Sequence, residues 1–385
     1  MRTNIRVLKL FGIPVEVNLS WFITLAFVTT MLALRFYPEV LPRSREQDYV
    51  LHWIMGLVSG IVFFGSIILH ELAHSLVARK QGLDVKSITL FIFGGVSQIA
   101  GEARRPLHEF IMAIVGPLTS LILAGLFFAV WSLAGPSRSD PLSLVLEWLT
   151  IMNLVLAVFN MAPGFPMDGG RVLRSVIWGV SGNLHVATRL ATFVGRSLGF
   201  GLILVGGLAF MGVLRDFVDP ISGLWFVLLG LFLESSSRQS WFQAKAMHLL
   251  SGYKASDVMN KDLLTAYGSD LVRYLRQRAG RYFIFFVVDE ADDQVVGVVT
   301  EKEADTIPVA DLARTAAQIM IPKTSALTVA PEEDGASILR QMETESVWHL
   351  PVLEDGRVIG VVSKESLLRL LAQNMFRTPR LSPTP

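Results

Sequence analysis

Long apolar runs dominate the chain up to about residue 245, and short β-rich runs alternating with polar helices follow. A helix needs roughly 20 apolar residues to cross a bilayer. The runs Leu19–Tyr37, His52–Ala78, Glu109–Leu133, Leu142–Met161, His185–Val213 and Pro220–Leu233 predict about six spans. The fifth contains Arg189 and Arg196, so its lipid-spanning part is expected after them. The last is short enough for an interfacial or buried helix.

Two stretches in this half fit neither a span nor an ordinary loop. "VKSITLFIFGGVSQIAG", residues 85–101, is β-branched and bounded by glycines, which predicts a hairpin dipping into the membrane face. Backbone of that kind is tolerated at membrane depth only where protein or a water-filled cavity surrounds it. "NMAPGFPMDGGRVLR", residues 160–174, packs prolines and glycines behind the fourth span and predicts an unwound segment lining a cavity.

The second half reads as two similar α+β units. "ASDVMNKDLLTA" corresponds to "AAQIMIPKTSALTV", and "RYFIFFVVDEADDQVVGVVTEKEA" to "VWHLPVLEDGRVIGVVSKESLLRLL". Each has an apolar strand, an acidic turn, a strand of the form G-V-V-T or G-V-V-S, and a helix. The division expected is 1–240 for the membrane part, then 251–306 and 314–373 for the two units.

Composition agrees with a membrane protein. Of 385 residues, 52% are hydrophobic and only 17% charged, against roughly 25% charged in soluble domains; the mean hydropathy is +0.50. A net charge of +1 carries no footprint of a nucleic-acid partner. Cysteine is absent, so a metal would have to rest on histidines and carboxylates. The N-terminal "MRTNIRVLKLFGIPVEV" lacks the pattern of a removable signal peptide. With a cytoplasmic N-terminus, that side receives Arg2, Arg6, Lys9, Arg79, Lys80, Lys86, Arg104, Arg105, Arg171, Arg174, Arg238 and Lys245. The other side receives Arg35, Arg43, Arg45, Arg138 and Arg215. The excess favours a cytoplasmic N-terminus, and an even number of spans puts the C-terminal units on the same side.

Candidate chemistry lies in "HELAHS", residues 70–75. His70 and His74 stand one helical turn apart on one face, where two imidazoles can share a Zn²⁺ ion. Glu71 lies about 100° around the helix, placed to take a proton from water. A carboxylate in a spanning helix costs on the order of 2.5–3.5 kcal/mol, so it is expected to face a partner or a cavity. A catalytic zinc needs a third protein ligand. Asp168, in the broken segment, is the best candidate, with an Asx-turn ahead of Gly169 as the alternative. Asn160 is either a donor to the oxyanion of an attacked carbonyl or a tie to its own helix backbone. A membrane transporter or channel regulated by its C-terminal units is the alternative to an enzyme.

With these residues in hand, the chain resembles the site-2 protease family of intramembrane zinc metalloproteases. It is similar to the bacterial and archaeal branch with a C-terminal tandem CBS pair. "HELAHS" matches the first family motif, "NMAPGFPMDGGR" the second, "FIFGG" the hairpin and "GPLTSL" a glycine-proline in the third core helix. The implied fold is a polytopic α-helical membrane domain of about six spans with a short membrane-associated β-hairpin, followed by a cytoplasmic α+β tandem CBS pair. The resemblance implies one Zn²⁺ held by His70, His74 and Asp168, Glu71 as general base, and Asn160 at the substrate carbonyl. Phe93, Gly94 and Gly95 would offer a backbone edge to an unwound substrate. The implied activity is cleavage of transmembrane or membrane-proximal segments of membrane protein substrates. In CBS pairs that bind adenosine nucleotides an Asp follows Gly-x-x-Thr/Ser-x-x. Here Thr300 is retained, while Glu303 and Ser366 occupy the two Asp positions. An adenosine nucleotide and a CBS-mediated homodimer are the remaining expectations.

Overall fold

The computed structural model describes residues 4–41, 48–92, 94–278, 283–290, 294–305, 307 and 313–374. Phe93 of the expected hairpin, and Arg2, Arg43 and Arg45 of the charge count, lie outside the described residues. Contacts divide the chain into Met1–Phe242 and Gln243–Pro385.

The first unit begins with two strands, β1 (Asn4–Leu10) and β2 (Ile13–Asn18), and then the first span. That span is α1 (Leu19–Met31), a π-helical turn (Leu32–Phe36) and α2 (Tyr37–Val40) in succession. Next come α3 (Tyr49–Lys80), β3 (Asp84–Phe91), β4 (Gly94–Ala100), α4 (Pro106–Ala134), α5 (Pro141–Asn160), α6 (Asp168–Ser181), α7 (Leu184–Phe210) and α8 (Pro220–Leu250). Six helices are long and apolar enough to cross a membrane. Their starts follow from local chemistry. Asn18, Asp48, Asp140, Asn183 and Asp219 each accept a backbone N–H of the first helical turn, a cap worth about 1 kcal/mol. Pro106, Pro141 and Pro220 occupy first helical positions, where no amide hydrogen is needed.

Three features differ from the sequence reading. The hairpin is β3–β4, but it belongs to a four-stranded sheet ordered β1-β2-β3-β4, with β2 and β3 parallel. The last span continues beyond Leu233 to Leu250, because polar residues extend the apolar run without a breaker. The segment after the fourth span is irregular only up to Met167, and Asp168 opens a helix. Gly169 and Gly170 do not break that helix. A Cβ on Gly169 would lie 2.3 Å from the Met161 carbonyl oxygen, and one on Gly170 2.3 Å from the Gly164 carbonyl carbon. These glycines let the helix start against the preceding loop.

Glycine also sets the α7–α8 contact. A Cβ on Gly199 would lie 2.9 Å from the Gly230 carbonyl oxygen, and one on Gly206 2.5 Å from that of Gly223. The two backbones therefore touch, as small residues permit between spanning helices.

The second unit comprises α9 (Ala255–Val258), β5 (Thr265–Tyr267), α10 (Val272–Arg278), β6 (Ile284–Val288), β7 (Val295–Thr300) and α11 (Glu301–Asp305). It continues with α12 (Ala316–Ile319), β8 (Ile321–Pro322), α13 (Gly335–Glu345), β9 (His349–Glu354), β10 (Arg357–Ser363) and α14 (Lys364–Asn374). The two repeats interlock. β8, which opens the second, pairs with β7 of the first, and Asn260 of the first bridges Val361 of the second. Met320 sits against Gly297, and Met259 against Gly360, at matching places of the two repeats. Between them Ile284, Phe286, Val298 and Val361 form a shared buried cluster.

The α7–α8 seam makes a stability prediction. Gly206→Val should lower the thermal midpoint of the detergent-solubilised protein, by the roughly 1–3 kcal/mol typical of overpacking. Gly207→Ala, where a Cβ meets open space, should leave the midpoint unchanged or raise it, since alanine is the better helix former.

Candidate metal centre

The α3 helix runs 32 residues, and its apolar periodicity is broken where His70 and His74 point inward, both buried. The structure brings these two imidazoles and the carboxylate of Asp168 together. His70 Nε2 lies 3.0 Å and His74 Nε2 3.1 Å from Asp168 Oδ2, and the two Nε2 atoms are 3.2 Å apart. Among the described residues this is the one cluster whose ligand atoms could hold a metal ion.

The donor set fits zinc. Ligand atoms about 2.0–2.1 Å from a tetrahedral zinc stand roughly 3.3–3.4 Å from each other, near the separations found. Each imidazole has its other nitrogen occupied: His70 Nδ1 lies 2.8 Å from Ser120 Oγ, and His74 Nδ1 2.6 Å from the Met112 carbonyl oxygen. A proton on His74 Nδ1, donated to that carbonyl, leaves Nε2 as the free lone pair, the arrangement that orients ligating histidines.

The space for this cluster is made by Gly116 on α4. A Cβ there would fall 2.1 Å from His74 Nε2 and 2.6 Å from His70 Nε2. Gly116 and Ser120, one turn apart, thus form the wall behind the imidazoles. The helix that presents Asp168 is fixed to the same wall by an ion pair. Arg174 Nε donates to Glu109 Oε1 at 2.6 Å, and Glu109, in the first turn of α4, is fully buried. Removing one partner of such a pair costs about 3–5 kcal/mol. Arg174 also lies over the Phe165 ring.

Glu71 is half-buried beside the cluster, on the side of β4. Ser97 Oγ donates to Glu71 Oε2 at 2.7 Å, and Ser75 Oγ donates to Ser97 Oγ. A Cβ on Gly95 would lie 2.7 Å from Glu71 Cγ, so the strand edge passes directly over this carboxylate. Gly94, with φ 127°, starts that strand. Asn160, the last residue of α5, donates from Nδ2 to the Leu156 carbonyl oxygen at 3.0 Å; the helix tie is thus present. Thr300 and Glu303 belong to the second unit and bond to each other: the Thr300 N–H donates to Glu303 Oε2 at 3.2 Å, and its hydroxyl to the same oxygen.

Residues missed by sequence reasoning are Gly116, Ser120, Ser97 and the Glu109–Arg174 pair. "GPLTSL" marked the first two as a motif without a role. The signal for the pair was a Glu at the mouth of an apolar span and an Arg nearly two turns into a helix, too common to assign.

The chain is similar to known peptidases and CBS proteins. The model of peptidase family M50 matches residues 59–137 and 135–204, and the CBS domain model matches 255–304 and 313–373. Two relatives, each named "Putative zinc metalloprotease", match almost end to end. The protein sll0528 of Synechocystis sp. is 33% identical over 96% of both chains. Rip3 of Mycobacterium tuberculosis is 30% identical over 100% of this chain and 96% of its own. The solved site-2 protease of Methanocaldococcus jannaschii is 27% identical, with a TM-score of 0.43, over 62% of this chain and 95% of its own.

An apolar multi-span bundle with a buried His-His-Asp cluster defines a membrane-embedded metallopeptidase. The chain belongs to peptidase family M50, the site-2 protease family, and is a zinc metalloendopeptidase carrying a C-terminal CBS pair. A transporter or channel finds no support in that membership.

Gly116→Ala should displace the imidazoles without unfolding α4, since alanine favours a helix. Metal analysis of the purified variant is expected to give well under half the zinc content of the unaltered protein.

Proposed function

We propose that the chain hydrolyses peptide bonds within transmembrane or membrane-proximal segments of membrane proteins. In this reading His70, His74 and Asp168 hold a single zinc ion, and Glu71 is the general base. The observation that carries it is the convergence of three metal donors beside a carboxylate inside an otherwise apolar bundle. A bound zinc ion supplies Lewis acidity, which makes water a competent nucleophile near neutral pH. Glu71 takes the proton from the attacking water and returns it to the leaving amine. Its hydrogen bond from Ser97 orients the carboxylate for that transfer. Asn160 spends one N–H on Leu156, and its amide carries a second, which would donate to the oxyanion.

Substrate would bind along β4. That strand is one of the two edges of the sheet, β1 being the other, and passes over Glu71. An amide in a helix is shielded by its own hydrogen bonds, whereas an unwound stretch pairs with a strand edge. The ligand pair starts at His70, ten residues before the end of α3 at Lys80, about 15 Å at 1.5 Å per residue. The excess of Lys and Arg at that end supports a site opening to the cytoplasm.

Glu71→Gln should retain zinc at one per chain while cleavage of a membrane-anchored substrate in vesicles falls by about 10²–10⁴, the range supplied by a general base. Cleavage at the unaltered rate would remove Glu71 from the mechanism.

The CBS pair would regulate this activity by binding an adenosine-type ligand. Its repeats enclose a cavity of about 200 Å³ lined by Thr300, Glu303, Glu345 and Trp348 among others. Two carboxylates and no lysine or arginine are among the described lining residues. That charge disfavours phosphates, so an uncharged nucleoside fits better than a polyphosphate. Calorimetric titration of the full chain should show adenosine binding at least tenfold more tightly than ATP; the reverse order would refute this preference.

A further inference from the structure

Hydroxyl side chains in apolar helices usually bond back to their own backbone, four residues earlier. Thr188, Thr192 and Ser197 on α7 do so, as does Ser240 on α8. Ser237 does not. Fully buried on α8, it reaches across to the loop before Asp168, and its Oγ donates to the Phe165 carbonyl oxygen at 2.5 Å. The same residue is held from the other side, because the Phe165 N–H donates to the Ala191 carbonyl oxygen on α7 at 3.3 Å.

The junction is built for close approach. A Cβ on Gly195 of α7 would lie 2.1 Å from the Phe165 carbonyl oxygen and 2.6 Å from Ser237 Oγ, and one on Gly164 would lie 2.5 Å from Gly195 Cα. The register of α8 against α7 is fixed one turn away by Arg196 Nε and Glu234 Oε1, 3.3 Å apart. From this anchor a short run of turns leads to the ligand. The Met167 N–H donates to Gly164 O, and the Gly170 N–H to Met167 O, on either side of Asp168.

We propose that Ser237 is a positioning residue for the third metal ligand: its hydroxyl, bonded to the Phe165 carbonyl, holds the loop that aims Asp168 at His70 and His74. The inference rests on the reading of those three residues as the ligand set. Ser237 touches neither metal ligand nor Glu71, and acts only through the loop. Without it a buried carbonyl loses its partner, and the loop relaxes to find another.

The test uses the full chain, stripped of metal and titrated with Co²⁺, whose visible absorption reports ligand geometry. The unaltered protein should take up one Co²⁺ per chain. Ser237→Ala should bind Co²⁺ about tenfold more weakly with altered band intensities, while Ser240→Ala should match the unaltered protein. In an Asp168→Asn background, Ser237→Ala should produce no further weakening, because its effect passes through Asp168. Should Ser237→Ala not fold, Ser237→Cys, a weaker donor, should give an intermediate loss that also vanishes in the Asp168→Asn background. An undiminished affinity in the folded variant, or an equal loss with and without Asp168, overturns the proposal. If the unaltered protein takes up no metal, the ligand reading itself fails, and the proposal falls with it.

Discussion

A polar atom placed in an apolar bundle must find a partner there, because lipid offers none. The gathering of three such atoms around one point shapes the membrane unit. His70 and His74 are usable because Ser120 and the Met112 carbonyl take their second nitrogens. Gly116 leaves the volume. Glu109 and Arg174 neutralise one another while fastening α6 to α4. Glycines 164, 169, 170 and 195 bring the loop before Asp168 into backbone contact with its surroundings. Each device answers the same demand, to bring a carboxylate and two imidazoles together in a dry place, although Glu109 Oε2 is itself buried without a hydrogen-bond partner.

Much of this was legible in the sequence, and the reasons differ by residue. The two histidines could be read because helical periodicity is local: a spacing of four fixes a shared face. Asp168 could be read because prolines and glycines mark irregular backbone, though they misstate its extent, since α6 begins at Asp168 itself. Gly116 could not be read for its purpose. A missing side chain acquires meaning only from what fills the space, and the imidazoles that do so come from another helix. Ser237 was invisible for the same reason: its partner lies 72 residues earlier in the chain. The sheet was half legible. "IPVEVN" alternates apolar and polar residues, but the parallel pairing of β2 with β3 is a tertiary choice.

The C-terminal unit shows the same division. Two repeats could be seen by aligning the chain with itself. Their exchange of leading segments could not, because Met259 and Met320 look alike wherever they pack. Gly297 and Gly360, which receive those methionines from the opposite repeat, make the two halves mutually dependent. The buried cluster of each repeat also takes an alanine from the other's leading segment, Ala316 in the first and Ala255 in the second.

The strand beside Glu71 has a further consequence. Gly94 and Gly95 set bare main chain against the carboxylate, where a Cβ on Gly95 would lie 2.7 Å from Glu71 Cγ. A partner recognised through its amides alone is not selected for the letters of its sequence. If β4 is the docking edge proposed above, what would distinguish one such peptide from another is the work of unravelling it, and brittle helices, interrupted by glycine, proline or polar residues, would be the natural prey of such an edge.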